Sequence, residues 1–100
     1  MEFATVELAI GLILAACALG AGICMGIGAI GPGIGEGNAV SKACEAIGRQ
    51  PESKGAVTST MIMGCAISET TGIYSLVIAI LLIFVAPNTM VNILKNTMGL

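Results

Sequence analysis

The 100-residue sequence contains no histidine and no tryptophan, only four Lys and Arg, and 3% aromatic residues. Without histidine, imidazole catalysis and histidine-ligated metal are excluded. Four basic residues at a net charge of −2 leave no electrostatic footprint for nucleic acid. Charged residues make up 10% of the chain, whereas an ordinary soluble domain carries roughly 25%. That is too few to coat a globule in water. What is abundant is apolar: 56% of the residues are hydrophobic and the mean hydropathy is +0.99. The solvent such a chain suits is lipid, and 100 residues suffice for two membrane crossings of about 20 apolar residues each plus a turn.

Cys17, Cys24, Cys44 and Cys65 form no C-x-x-C pair and have no histidine partner, so they read as small hydrophobes rather than a zinc or redox centre. The N-terminus opens Met1-Glu2-Phe3, with an acid where a secretory signal needs positive charge, so the N-terminal apolar run is expected to stay. No charge interrupts Leu8 to Gly35, and a second apolar run from Gly55 to Leu94 is interrupted only by Glu69. Each can span a bilayer. The expected organisation is one domain: a first transmembrane helix over about 5–46, a loop over 47–54, a second helix over about 55–86 and a short, more polar tail over 87–100. Pro87 is expected to kink or end the second helix.

Five of the ten charges gather between Lys42 and Lys54. Arg49-Gln50-Pro51 reads as the turn, because Pro51 disfavours helix at the residue before it. Both termini then share one side. Lys42, Arg49 and Lys54 at the loop against Lys95 near the C-terminus place the loop in the cytoplasm and both termini outside.

Eight of the fourteen glycines fall between Gly20 and Gly37. Gly26-Ile-Gly28-Ala-Ile-Gly31 matches G-x-G-x-x-G, but it sits in a long apolar run with no room for a βαβ unit, so a dinucleotide fingerprint is rejected. Glycines in membrane helices permit close backbone approach. Their spread over more than one face predicts close neighbours on both sides of the first helix, as in a ring of identical helices; a simple helix dimer is the plainer alternative.

A carboxylate inside a span marks an ion or proton pathway by default, and this chain has two. Glu36 and Glu69 lie almost symmetrically about the turn, each roughly 25 Å from its apex at ~1.5 Å per residue, and hence at one depth. Around Glu69 stand the hydroxyls of Ser68, Thr70, Thr71 and Tyr74, and oxygen-rich surroundings suit a hard cation such as Na⁺. One ionised carboxylate, one protonated acid and one Na⁺ sum to neutrality. This predicts Glu69 as the ionised ligand, Glu36 as a protonated one, and two coupled titrations. A proton-only site on Glu69 is the competitor.

With Gly31-Pro-Gly-Ile-Gly-Glu-Gly37, Arg49-Gln50-Pro51, Glu69 and Gly72-Ile73-Tyr74 in place, the chain resembles the c-type rotor proteolipid of F-type ATP synthases, whose copies form the membrane rotor ring. The resemblance implies an all-α membrane protein, a two-helix transmembrane hairpin assembling into a homo-oligomeric ring in the cell (inner) membrane, and no catalysis by the chain itself. It implies that Glu69 carries the coupling ion and releases it at the stator a-subunit. It further implies that the Ile67 carbonyl and the Thr70 hydroxyl are ligands, that the Thr71 carbonyl holds a site water, and that Tyr74 hydrogen-bonds Glu69. Thr70 directly after the carboxylate is similar to the sodium-binding pattern; Glu36 stands where that pattern most often has Gln. Arg49, Gln50 and Pro51 are implied to contact the central-stalk subunits gamma and epsilon. The expected function is therefore ion translocation with Na⁺, or H⁺ as the alternative, in ATP synthesis. An unrelated small oligomeric channel or transporter is the rival, and a purely structural dimer is third.

Overall fold

The computed structural model describes residues 3–100, and among them every element is helical. The order is α1 (Phe3–Gly28), α2 (Ile30–Arg49), a 3₁₀ turn (Pro51–Ser53), α3 (Lys54–Ser68), α4 (Thr70–Ile80), a π turn (Leu81–Val85) and α5 (Ala86–Met98). Two stretches, Ala4–Arg49 with 46 residues and Pro51–Met98 with 48, contain windows of mean hydropathy 2.4 and 2.3. Only 11% and 6% of those windows are buried within the chain. A core helix of a soluble protein hides its apolar surface; these helices turn theirs to lipid or to other chains. The buried apolar side chains among the described residues are small, Val6, Cys17, Ala21, Ala43 and Ala79, so one copy has almost no core of its own.

The chain divides into two compact units. Gly26–Ser75 is a helical hairpin. Gln50 takes an extended backbone (φ −135, ψ 82), as a residue before proline must. The Gln50 N–H still donates to the Ala46 carbonyl at 2.9 Å, and the Gln50 carbonyl accepts from the Ser53 N–H at 2.9 Å and the Ser53 hydroxyl at 2.7 Å. Arg49 pairs with Glu45 at 2.6 Å and Lys42 with the same carboxylate at 3.4 Å. These exposed pairs are worth about 0–1 kcal/mol each, so the turn rests on its backbone bonds.

Pro32 explains the interruption at Ala29: it has no N–H for the Gly28 carbonyl and its ring crowds that oxygen. Helix resumes at once, with the Gly33 N–H donating to Ala29 at 3.0 Å. Within this unit the glycines divide. A Cβ on Gly28 would collide with the Ser75 side chain, one on Gly35 would come 3.7 Å from Ser68 Oγ, and one on Gly72 would lie 3.7 Å from Pro32 Cγ. Gly26, Gly31, Gly33 and Gly37 have open space where a side chain would go. One set of glycines lies inside the hairpin and the other on its open surface.

The second unit joins the described part of Met1–Met25 with Leu76–Leu100. Leu12, Ile13 and Met90 line one groove, and Leu82 comes within 3.5 Å of where a Gly20 side chain would begin. Pro87 does not end the second helix. The π turn at Leu81–Val85 widens the backbone just before it, and α5 continues to Met98, so the short polar tail over 87–100 is helical for most of its length. Insertion of one wide turn relieves the clash between a proline ring and the preceding carbonyls.

Gly99 ends α5 in the left-handed conformation (φ 74). Its N–H donates to Asn96 at 3.2 Å and that of Leu100 to Lys95 at 2.9 Å, the paired bonds of a Schellman cap. Gly99→Ala is expected to cost about 1 kcal/mol, because a Cβ is strained at this φ. Hydrogen exchange of the last turn of α5 checks it, and unchanged protection would contradict the assignment.

Candidate ion-binding site

Glu36 comes from the middle of α2 and Glu69 from the junction between α3 and α4. At that junction the helix slackens without breaking. Glu69 keeps helical dihedrals (φ −65, ψ −18), its N–H donates to Cys65 at 2.9 Å, and its carbonyl accepts from the Ile73 N–H at 3.0 Å. The hairpin register set by the turn brings the two side chains together, with the Glu36 carboxyl within hydrogen-bonding reach of Glu69.

Gly72 shapes the second carboxyl. A Cβ there would lie 3.1 Å from Glu69 Oε1, so the glutamate side chain folds over a residue that offers no obstacle. Pro32 is buried against the same spot from the facing helix. The Glu69 carboxyl therefore lies over a glycine that faces a proline ring, neither of which has a side-chain donor to offer it.

Glu36 is half-buried, and its Oε1 is buried with no hydrogen-bond partner. Two ionised carboxylates are acceptors only, so they cannot bond to each other unless one is protonated or a cation lies between. Glu69 is exposed on the single chain and Glu36 half-buried. Two negative charges this close repel, and one proton or cation shared by the pair would relieve the repulsion.

The remaining expected site residues are not gathered there by one chain. Ile67 and Tyr74 face outward, 70% and 64% exposed. Thr70 is half-buried and Thr71 exposed. Among the described residues no hydrogen bond joins Tyr74 to Glu69. The Thr71 carbonyl accepts from the Ser75 hydroxyl at 3.1 Å. Arg49, Gln50 and Pro51 are exposed at the far end of the hairpin. Sequence reasoning used Pro32 and Gly72 only as motif residues, without a role at the site, and passed over Ser75. The signal that could have found them is the symmetry about the turn, which pairs position 32 with 72 and 28 with 75 as it pairs 36 with 69.

A family model for the C-subunit of ATP synthase matches residues 19–82. The chain is similar to the ATP synthase c-subunit of Alkaliphilus oremlandii, 59% identical over 76 residues, which is 76% of this chain and 85% of that one. It is 57% identical to that of Thermotoga petrophila over 79 residues, 79% of this chain and 93% of the relative. Against the chloroplastic ATP synthase c-subunit of Euglena gracilis it is 47% identical over 76 residues, 76% of this chain and 94% of the relative. A helical hairpin with a carboxylate pair inside its apolar length, and these matches over most of the chain, lead to one conclusion: the chain belongs to the ATP synthase C-subunit family.

Proposed function

We propose that each copy carries one coupling ion on Glu69, that the ion is Na⁺, and that Glu36 supports it as a protonated acid. The chain itself is a non-catalytic component of the ATP synthase, and ring assembly of copies follows from the family. The observation that carries the ion assignment is the buried, unpartnered Oε1 of Glu36 beside the Glu69 carboxyl. A protonated Glu36 donates through one oxygen and still offers the other as a ligand. Na⁺ on an ionised Glu69 then leaves the site neutral, which low-dielectric surroundings favour. The Ile67 carbonyl, Thr70, Thr71 and Tyr74 lie within about a turn and a half of Glu69 along the same helix. They complete the shell only where a second copy closes over them, with Tyr74 donating to Glu69.

In operation, an ion entering neutralises Glu69 and frees the copy to move into lipid; an emptied, ionised Glu69 is held opposite the cation of the stator a-subunit. The loop with Arg49, Gln50 and Pro51 faces the cytoplasm, against the gamma and epsilon subunits of the central stalk, and both termini lie outside. Family membership removes the ground for an unrelated channel or a structural dimer.

Carbodiimide labelling of the assembled complex across pH tests the ion. Na⁺ is expected to slow modification of Glu69, since a metal-bound carboxylate is not available to the reagent. Labelling indifferent to Na⁺ at every pH would leave H⁺ as the coupling ion. In Glu36→Gln, Na⁺ protection is expected to persist with an altered pH dependence, because an amide offers its oxygen without first binding a proton. An unchanged profile would make Glu36 a bystander.

A further inference from the structure

Residues 83–100 lie beyond the stretch matched by the family, and they carry α5 and the end of the π turn. Half-buried Val91, Leu94 and Met98 on α5 face α1, and the groove shared by Leu12, Ile13 and Met90 fixes the level at which the two helices meet. The opposite face of α5 carries Asn88, Asn92 and Asn96 at intervals of four, all exposed. Asn88 donates weakly to the Phe84 carbonyl at 3.4 Å. The exposed amides of Asn92 and Asn96 suit water, and in hydrocarbon they would be costly. One turn before Asn88 the outward residue is Phe84, 68% exposed. From Phe84 to Asn88 this outward face changes from apolar to polar, while Ile93 beside it stays apolar and 59% exposed.

At the same level α1 carries Leu8, outside that groove and 64% exposed, and Leu12, at the groove's edge yet still 62% exposed. If α5 stands in water, those leucines cannot be left bare. The surface they belong to continues along α1 through Ala15 and Ala18 to Gly22, which lies inside the family-matched stretch and has open space above it. It is therefore continuous with the helix face that a ring of copies packs together.

We propose that α5 and the first three turns of α1 form a collar standing outside the hydrocarbon, in which the exposed leucines of α1 pack against a second copy of the chain. The collar rests on assembly of copies but not on the identity of the coupling ion. Its glycine-poor, leucine-bearing contacts would clamp the assembly at a level where lipid cannot.

The test uses the full chain with its four cysteines replaced by alanine, in native-like membranes opened to reagent on both sides. A charged, membrane-impermeant maleimide is expected to label Asn92→Cys and to spare Phe84→Cys. Leu8→Asp is expected to lower the temperature at which the detergent-resistant oligomer dissociates, with helix content unchanged by circular dichroism; Leu8→Met is expected to leave that temperature unaltered. Asn92→Cys protected as fully as Phe84→Cys overturns the collar by placing α5 in lipid. Leu8→Asp without effect overturns the contact between copies and leaves lipid inside the assembly as the cover of α1. If the unsubstituted chain forms no oligomer, assembly itself fails and the collar with it, whereas loss of Na⁺ protection at Glu69 alone touches only the ion assignment.

Discussion

Glu69→Gln is expected to abolish ion-coupled ATP synthesis while leaving the hairpin and its assembly intact. The amide matches the carboxylate in shape, and Gly72 leaves it the same room, so packing gives no reason for the fold to change. What disappears is a charge that can be switched. A carboxylate is neutral when loaded and negative when empty, and moving the empty form into lipid costs about 2.5–3.5 kcal/mol on the translocon scale. In the proposed mechanism that difference is what keeps an unloaded copy at the stator. Glutamine is neutral in both conditions, holds no monovalent ion, and carries nothing across. Ion uptake and ATP synthesis by the reconstituted complex are the measurements, with the detergent-resistant oligomer as the control for assembly. Activity at even a tenth of the unsubstituted level would remove Glu69 from its role.

Substitution at two glycines only two residues apart is expected to have opposite consequences. A Cβ on Gly28 would lie 2.6 Å from Ser75 Cβ, so Gly28→Val forces the hairpin apart and should destabilise it by about 1–3 kcal/mol, the usual range for overpacking. Ser75→Gly in the same chain should recover most of that loss, a coupling that a double-mutant cycle in mixed detergents would measure. Gly26 has nothing within 4 Å of the corresponding position. Gly26→Val should leave the isolated hairpin as stable as before, yet prevent copies from approaching, read as loss of the oligomer. If both variants weakened the hairpin equally, the division of glycines into an inner and an outer set would be wrong.

Much of this was legible in the sequence because charge is scarce. Pro51 located the turn, and once the turn was located the depths of Glu36 and Glu69 followed from counting. Their meeting in the hairpin is the same arithmetic made physical, and it extends to Pro32 with Gly72 and Gly28 with Ser75. Pro87 was not legible in the same way. A proline removes one donor and crowds one carbonyl, but whether a helix stops there depends on whether the backbone can widen locally, and composition does not report that. Nor could the hydroxyls near Glu69 be assigned from one chain's geometry: Tyr74 is exposed, Thr70 is half-buried, and among the described residues no hydrogen bond joins either to the carboxylates.

The π turn at Leu81–Val85 has a consequence for the phase of the helix. Continuing the inward positions Ala79 and Leu82 by alternate steps of four and three would bring Ala86, Thr89, Ile93 and Asn96 to face α1. One wide turn holds one residue more than an α turn, which rotates everything after it by about 100°, and the residues that turn inward are instead Val91, Leu94 and Met98. The extra residue works as a frame shift in space: it exchanges a mixed stripe bearing Thr89 and Asn96 for an apolar one without altering a single residue beyond it. Two sequence patterns that are out of step with each other are thereby joined into one helix that has a consistent inner side.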